Sequence, residues 1–311
     1  MFSCTVIALL APGQGSQTPG MFGPWLELDG AEQRVTSWSK ATGLDLVRLG
    51  TTAEAEEIKD TSITQPLVVA LALLAFEELR KRVDLPADTI VAGHSVGELA
   101  AAAMAGVLSA DDAVALAAVR GAEMAAACAL HPTGMAAVLG GDEQDVLATL
   151  DVRGLTAANM NGGGQIVAAG PIGAIQLLAE KPPEGSRVIP LQVAGAFHTK
   201  YMASAVDRLH AAAAALTPSD PALPIWTNKD GSRVESGRAF LDLIVGQVAN
   251  PVRWDLVMAS LGGAGVTGII ELAPAGALVG LVKRGLKGVP TIAVKTPDDL
   301  AAARLLLGGA A

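Results

Sequence analysis

The sequence contains few cysteines and few aromatic residues. Its two cysteines, Cys4 and Cys128, lie far apart and lack the C-x-x-C spacing of metal and redox sites. We therefore expect no disulfide framework and no metal, and a reducing, cytoplasmic setting. Aromatic residues make up 3% of the 311 residues, whereas 51% are hydrophobic, so the core must consist mainly of small aliphatic side chains.

The chain also lacks an excess of positive charge. It has 22 Lys and Arg against 31 Asp and Glu, a formal net charge of −9 at pH 7. Nucleic-acid binding needs clustered Lys and Arg, which occur nowhere as a long run. We expect no nucleic-acid partner.

Long hydrophobic runs are missing as well. The apolar region at residues 99–108 is about half of the ~20 residues that a bilayer crossing requires. The apolar start at residues 6–11 lacks the basic region of a signal peptide and continues into a glycine loop, so we predict that it is the first core strand. We expect neither secretion nor membrane binding, and nothing in the sequence demands more than a monomer.

A serine nucleophile is indicated by Gly-His-Ser-Val-Gly at residues 93–97. An apolar strand-like run precedes this G-x-S-x-G pattern and a helix-like segment follows it, which is the context that exposes a serine hydroxyl. The two glycines suit a turn with no room for a β-carbon. We predict that Ser95 is the nucleophile; taken alone, the pattern also fits a helix-starting turn without chemistry.

A strand-helix alternation predicts an α/β fold, with an α/β-hydrolase-like parallel-sheet core. Strands at 6–11 and 89–93 end in glycine loops, and a helix beginning at Gln65-Pro66 lies between them. Segments between Cys128 and Ala196 follow the β-α-β-β-α-β order of a ferredoxin-like module. We predict a core of residues 1–127 and 197–311 with a ferredoxin-like small domain at 128–196 inserted. The remaining predicted elements are small-domain strands at 134–139, 155–161, 165–169 and 187–193, small-domain helices at 143–150 and 172–179, a helix at 200–216, and strands near Ile225, at 266–272 and at 291–294.

A serine hydroxyl needs a base, and histidine has a suitable pKa. His198 follows Phe197 at a predicted helix start, where the chain returns from the small domain and a side chain can face a cleft. It is our candidate base; the alternative is a surface histidine at a helix terminus. We expect His94 to pack or to contact substrate, and His131 and His210 to be structural or solvated. No Asp or Glu stands out as the group that orients the base.

Two backbone amides are candidates for the oxyanion hole. One belongs to Val96, directly after the nucleophile. The second belongs to Gln14, in the glycine loop that ends the first strand. A dinucleotide-binding loop is the rival interpretation, but it requires glycine where Thr18 stands, and no G-K-[ST] follows. We expect no cofactor.

Arg120 lies in an apolar helical segment, where a guanidinium is costly without an anion. A helix from Val96 runs ~16 Å away from the elbow, the turn at residues 93–97, and a second helix from Asp111 returns ~14 Å by Arg120. If the two helices are antiparallel, Arg120 lies level with Ser95. Its planar fork suits a carboxylate, which favours a substrate with a free carboxyl group. The alternative is a structural salt bridge to Glu123 or to another acid.

Ordered motifs extend nearly from end to end: Gly13-Gln14-Gly15-Ser16-Gln17, Gln65-Pro66, Gly93-His94-Ser95-Val96-Gly97-Glu98, Arg120-Gly121, Ala158-Asn159, Gly195-Ala196-Phe197-His198-Thr199 and Asn250-Pro251-Val252-Arg253-Trp254. Together they resemble the malonyl-CoA:acyl carrier protein transacylases of type II fatty acid synthesis, particularly the actinobacterial members. Polyketide synthase acyltransferases share the same set of motifs and are the nearest alternative.

The resemblance implies a ping-pong transfer. Ser95, deprotonated by His198, would take malonyl from malonyl-CoA as an ester and pass it to the phosphopantetheine thiol of holo acyl carrier protein. It implies oxyanion amides at Gln14 and Val96 and a malonate clamp at Arg120. In such enzymes a backbone carbonyl orients the histidine, and we assign this role to Gln247, with Asn250 second. Further pocket residues would be Gln65, His94, Asn159 and Asn250.

Other features refine this expectation. Phe197 resembles the bulky residue of malonyl-selective members, where it would exclude an α-methyl group. Val96 and Leu99 depart from the leucine and aromatic residue that are frequent there, which changes pocket packing. Lys283, Arg284 and Lys287 would form a basic patch for an acidic carrier protein; a solvated helix end is the alternative.

Two rival functions remain at this point. A serine hydrolase such as a thioesterase shares the elbow but would not need Arg120 in an apolar helix or a water-poor cleft. A catalytically silent carrier-protein docking module is disfavoured by the intact Ser95, His198 and Arg120. Carriers of fatty acid and of polyketide synthesis fit the sequence equally well.

Overall fold

Two β-sheets organise the molecule. A computed structural model describes residues 5–308, so Cys4 lies outside the described residues. The strands are β1 (Ile7–Ala11), β2 (Ile90–Gly93), β3 (Thr133–Gly140), β4 (Thr156–Gly162), β5 (Gln165–Pro171), β6 (Ser186–Pro190), β7 (Ile225–Trp226), β8 (Arg233–Val234), β9 (Val252–Arg253), β10 (Gly268–Glu271) and β11 (Thr291–Ala293).

Helices cover and connect the sheets. They are α1 (Gly23–Leu26), α2 (Ala31–Thr42), α3 (Leu46–Thr51), α4 (Thr61–Arg80), α5 (Gly97–Met104), α6 (Ala110–Cys128), α7 (Glu143–Val152), α8 (Ile172–Glu180), α9 (Ala203–Ala214), α10 (Gly237–Gln247), α11 (Trp254–Gly263), α12 (Ala277–Gly285) and α13 (Leu300–Leu306).

The larger sheet has the order β11-β10-β1-β2-β7-β8 and is parallel except for the β7–β8 hairpin. Every residue of β1 and β2 is buried, as expected for parallel strands covered on both faces. Since β1 and β2 are parallel neighbours, the loops that follow them meet at one edge of the sheet. The predicted core strands are confirmed, with shorter bounds for β10 and β11.

The second sheet has the order β6-β3-β5-β4-β9. Its first four members pair antiparallel, and β5 lies between β3 and β4. The predicted β-α-β-β-α-β order of elements between Cys128 and Ala196 is confirmed. The fifth strand, β9, comes from a later part of the chain and pairs in parallel with β4, so residues outside 128–196 complete this sheet.

Three predicted boundaries are wrong. The helix expected from Gln65 begins at Thr61, because the Asp60 side chain accepts the Ser62 N–H at 2.8 Å and caps it there; Pro66 lies inside the helix. A single helix at 200–216 is replaced by a 3-10 turn, Lys200–Met202, followed by α9. The strand expected at 187–193 ends at Pro190.

Helix α4 is the main core helix. It is long and apolar enough to cross a membrane by length and composition, and it is the only such helix in residues 5–308. Within the protein, 78% of that apolar window is buried, and α4 packs along α6 and α5. The longest apolar helix is therefore α4 and not the region 99–108.

Candidate active site

The elbow presents Ser95 between β2 and α5 in a strained conformation. Ser95 has a φ of 54°, in the left-handed region that non-glycine residues seldom adopt. A β-carbon on Gly93 would lie 2.0 Å from the main chain of Gly97, and one on Gly97 would lie 2.3 Å from the Ala11 carbonyl oxygen. Both glycines are therefore required by close backbone approach, as the sequence predicts.

A serine–histidine pair forms across the cleft. Ser95 Oγ lies 2.8 Å from His198 Nε2, and His198 Nδ1 lies 2.9 Å from the main-chain oxygen of Gln247. A carbonyl can only accept, so Nδ1 carries the proton and Nε2 is free to accept the serine proton. This geometry suits Ser95 as a nucleophile and His198 as its base, with the main-chain oxygen of Gln247 holding the ring in place.

Burial shapes the basicity of His198. The side chain is 3% exposed, and burial together with the positive charge of Arg120 lowers its pKa to about 3, although the carbonyl of Gln247 acts in the opposite direction. The imidazole is therefore neutral at physiological pH and competent to accept a proton.

Arg120 returns to the level of Ser95, as the helix lengths predict. Its Nη2 lies 3.3 Å from Ser95 Oγ and 2.9 Å from Gln247 Oε1, while its Nη1 donates to Gln65 Oε1 at 2.7 Å. Gly121 permits this approach of α6 to α4, since a β-carbon there would lie 2.6 Å from the Thr61 carbonyl oxygen.

The charge of Arg120 is buried with little neutralisation. The residue is 1% exposed, its Nε has no hydrogen-bond partner among the described residues, and burial lowers its pKa to about 10. The alternative of a salt bridge to Glu123 is wrong, because Glu123 faces Arg208 on α9 at 3.9 Å. A buried, incompletely paired guanidinium beside a nucleophile is suited to binding an anion.

A cleft of about 490 Å³ opens in front of this centre. It lies between the core elements and the second sheet, and its lining includes the predicted residues Gln14, Gln65, His94, Ser95, Asn159, Phe197 and His198. The hydrogen bonds recorded for residues 5–308 include none from the amides of Gln14 or Val96, so both remain available as donors. A serine–histidine pair, a buried guanidinium and two amides available as donors occur together at this cleft, and this combination is suited to acyl chemistry.

Comparison with known proteins agrees with this geometry. Residues 9–303 match the acyl transferase domain family. The chain is 58% identical over 296 residues to the malonyl CoA-acyl carrier protein transacylase of Mycobacterium tuberculosis strain H37Rv, covering 95% of this chain and 98% of the relative. The chain belongs to the malonyl CoA-acyl carrier protein transacylase family.

Solved structures of this acyltransferase family superpose closely. The crystal structure of MCAT from Mycobacterium tuberculosis has a TM-score of 0.92 at 57% identity and covers 96% of this chain and 99% of its own. A complex of a type II PKS acyl-carrier protein with its malonyl-transacylase gives 0.90 at 28% identity, covering 96% and 99%.

The remaining predicted residues of this transacylase-family chain lie in different places. His94 bonds Asn161 Oδ1 at 2.9 Å through Nε2 and packs edge-on against Trp254, so it is a packing residue that also lines the cleft. Asn250 is exposed and lines a separate cavity of about 400 Å³ on the far side of Gln247, not the substrate cleft. The main chain of Asn250 acts to raise the pKa of His198.

The basic patch is only partly helical. Lys283 and Arg284 lie in the last turn of α12, whereas Lys287 lies beyond it; all three are exposed, and Arg284 also lines the cleft.

Two residues around Ser95, Asn228 and Glu98, were not predicted from the sequence. Asn228 Oδ1 accepts the Ser95 N–H at 2.8 Å, and Glu98 accepts the main-chain N–H of Asn228. Asn228 lies 133 positions from Ser95, so no local spacing could have found it.

Reactivity of Ser95 should survive mild acidification. His198, with its pKa of about 3, stays neutral between pH 7 and 5. If its pKa were 6.5 instead, the rate would fall about tenfold for each pH unit below that value. The measurement is the rate at which a fluorophosphonate modifies Ser95 from pH 4 to 8. Replacing Arg120 with Gln removes the nearby charge and should move the acid limb to higher pH. A wild-type limb near pH 6.5 would show that burial does not hold His198 neutral.

Proposed function

We propose that this chain transfers the malonyl group of malonyl-CoA to the phosphopantetheine thiol of holo acyl carrier protein through a malonyl-serine ester. The observation that carries the proposal is the buried guanidinium of Arg120, 3.3 Å from the hydroxyl of Ser95. An acyl group with a free carboxylate can bind this charge while its thioester carbon faces the nucleophile. The activity named for the relatives and the solved carrier-protein complex support the same two substrates.

In the first half-reaction, His198 Nε2 takes the proton of Ser95 Oγ as Oγ attacks the thioester carbon of malonyl-CoA. The tetrahedral intermediate collapses with cleavage of the carbon–sulfur bond. The departing coenzyme A sulfur receives the proton from Nε2, leaving the malonyl ester on Ser95 and His198 neutral again. Their 2.8 Å hydrogen bond supports this role for the pair.

In the second half-reaction, the phosphopantetheine thiol gives its proton to His198 Nε2 and its sulfur attacks the ester carbon. The bond to Ser95 Oγ breaks, and Oγ recovers the proton from Nε2. The product is malonyl carrier protein, and both residues return to their starting state.

The oxyanion of each intermediate is assigned to the amides of Gln14 and Val96. Val96 is the N-cap of α5, so its N–H lies at the positive end of that helix. Gln14 follows β1 in the neighbouring loop, and its side chain donates to Thr61 Oγ1 at 3.2 Å, which supports a fixed loop. Removing one donor of this kind typically costs an enzyme about 10²–10³ in rate.

Substrate selection is assigned to Arg120 and Phe197. Arg120 binds the malonate carboxylate, with Gln65 holding the guanidinium in place through its 2.7 Å bond. Phe197 is 6% exposed and lines the cleft beside His198, where it would crowd an α-methyl group. Since one methylene is worth only ~1–3 kcal/mol, this selectivity is finite. Asn159 completes the lining on the side of the second sheet.

We assign the architecture to an α/β-hydrolase-like core of residues 1–127 and 197–311 with a ferredoxin-like insertion at 128–196. The position of β5 between β3 and β4 supports the split β-α-β of such a module. Strand β9 then belongs to the core in sequence and to the small domain in its pairing.

The setting proposed for the enzyme is a monomer in the cytoplasm, with acidic carrier protein docking on the patch of Lys283, Arg284 and Lys287. The exposure of all three side chains and the place of Arg284 in the cleft lining support this surface. Carriers of both fatty acid and polyketide synthesis fit it.

Intact mass measurement tests the proposed function. With malonyl-CoA alone, we expect a persistent malonyl adduct on Ser95, because the ester awaits a thiol acceptor, and holo carrier protein should then remove it. Rapid release of malonate without an adduct would instead indicate a hydrolase, and the absence of any reaction would favour a docking module. A Ser95→Ala variant is the matched blank.

Replacing Arg120 with Ala should reduce malonyl transfer far more than acetyl transfer. The loss of a hydrogen-bonded charge pair corresponds to about 10- to 100-fold in rate. Acetyl-CoA has no carboxylate to pair with Arg120, so its transfer should not suffer this loss. The measurement is kcat/KM for both thioesters with one carrier protein. Arg208→Ala, which removes an exposed arginine on α9, is the matched control. Equal losses for malonyl and acetyl would refute the clamp.

A further inference from the structure

Glu98 is a buried carboxylate that the chemistry above does not use. It lies in the first turn of α5 and is 1% exposed. Its Oε1 accepts the main-chain N–H of Asn228 at 2.7 Å, and its Oε2 accepts the side-chain amide of Gln247. Thr227 provides a further hydrogen bond from its side chain. Every partner of this carboxylate is a donor.

Both main partners of Glu98 touch the reacting groups. Gln247 receives Arg120 Nη2 on its side-chain oxygen and His198 Nδ1 on its main-chain oxygen, each at 2.9 Å. Asn228 receives the Ser95 N–H on Oδ1 at 2.8 Å and donates Nδ2 to the Gly93 carbonyl at 2.7 Å. Glu98 is thus hydrogen-bonded to two residues, Asn228 and Gln247, which between them contact Ser95, His198 and Arg120.

The orientation of the Gln247 amide depends on this carboxylate. Arg120 can only donate, so it requires the oxygen of the amide, and Glu98 and Asn228 Oδ1 then receive the nitrogen, the latter at 3.1 Å. Without an acceptor at Glu98, the hydrogen bond that fixes the amide nitrogen is lost, and the amide oxygen is held toward Arg120 less firmly.

We propose that Glu98 is a positioning residue for acyl transfer, which fixes Gln247 and Asn228 so that Arg120, His198 and Ser95 keep their relative places. This inference rests on the proposed function. It extends that function by assigning malonyl selectivity in part to a residue that does not line the substrate cleft.

Opposing effects set the charge state of Glu98. Burial raises its pKa to about 8, while the hydrogen bonds from Asn228 and Gln247 and the charge of Arg120 act in the opposite direction. The positioning role therefore rests on the hydrogen bonds that the two oxygens accept rather than on a full negative charge at pH 7.

The test compares Glu98→Gln with the wild type in kcat and KM for malonyl-CoA and acetyl-CoA. Glutamine has nearly the same shape, but its NH₂ must face a donor at either Gln247 or Asn228. We expect kcat to fall about 10- to 100-fold for both thioesters, and the malonyl-to-acetyl ratio of kcat/KM to fall about tenfold, because Arg120 loses its fixed partner.

A double variant separates positioning from simple destabilisation. If Glu98 acts on selectivity through Arg120, Glu98→Gln in the Arg120→Ala background should lower the malonyl-to-acetyl ratio no further. Glu98→Asp keeps a carboxyl group in the first turn of α5 but is too short to reach both partners, and it should show the same ratio change if Glu98→Gln does not fold. Glu78→Gln is the matched control, with unchanged kinetics expected. Glu78 is another buried carboxylate, which lies on α4 and pairs with Lys81 directly after that helix.

Two outcomes would overturn the inference while leaving the proposed function intact. Wild-type kinetics in Glu98→Gln and Glu98→Asp would show that the carboxylate positions nothing, and equal losses of kcat/KM for malonyl and acetyl would show that it does not hold Arg120 in place for the malonate carboxylate. Failure of the proposed function is seen separately, as the absence of a malonyl adduct on wild-type Ser95.

Discussion

The hydrogen bond from His198 to the carbonyl of Gln247 is the interaction on which the rest of the centre depends. Gln247 ends α10, where main-chain carbonyls have no partner within the helix. Its oxygen accepts the N–H of Asn250 at 3.1 Å and still has a lone pair for His198 Nδ1, while the next carbonyl, at Val248, accepts the His198 N–H. The negative end of the helix dipole therefore faces the imidazole and would stabilise the imidazolium that forms during transfer.

Backbone strain is concentrated where this helix end meets the nucleophile. Ser95 and His198, at φ of 54° and 60°, are the only non-glycine residues with positive φ in the described chain. Such conformations cost about 1–3 kcal/mol each and persist only where neighbours hold them. The bonds from the Ser95 N–H to Asn228 and from the His198 N–H to Val248 provide that hold. The electrostatics of the site depend on Arg120. Its guanidinium donates to the neutral amide oxygens of Gln65 and Gln247, so no ion pair among the described residues prevents its charge from binding a carboxylate.

Sequence patterns predicted those parts of the site that depend on residues near one another in the chain. The elbow around Ser95 is dictated by turn geometry, and the level of Arg120 follows from the rise of two antiparallel helices, so both could be predicted. The role of Gln247 came only with a family resemblance, since a carbonyl leaves no mark on residue type. Asn228 and Glu98 could not be predicted, because they meet across 130 positions of sequence through β7 and α5. The start of α4 differs from the prediction because Asp60 caps the helix before Pro66, and the proline lies inside it.

The central claim is that burial and the charge of Arg120 keep His198 neutral, while a helix-end carbonyl holds its proton on Nδ1 so that Nε2 faces Ser95. Nitrogen-15 NMR of the histidine side chains, recorded from pH 7 down to pH 4, measures this tautomer and its titration directly. The account predicts a His198 ring protonated on Nδ1 alone, with no titration above pH 4. A proton on Nε2, or an imidazolium appearing near pH 6.5, would contradict it.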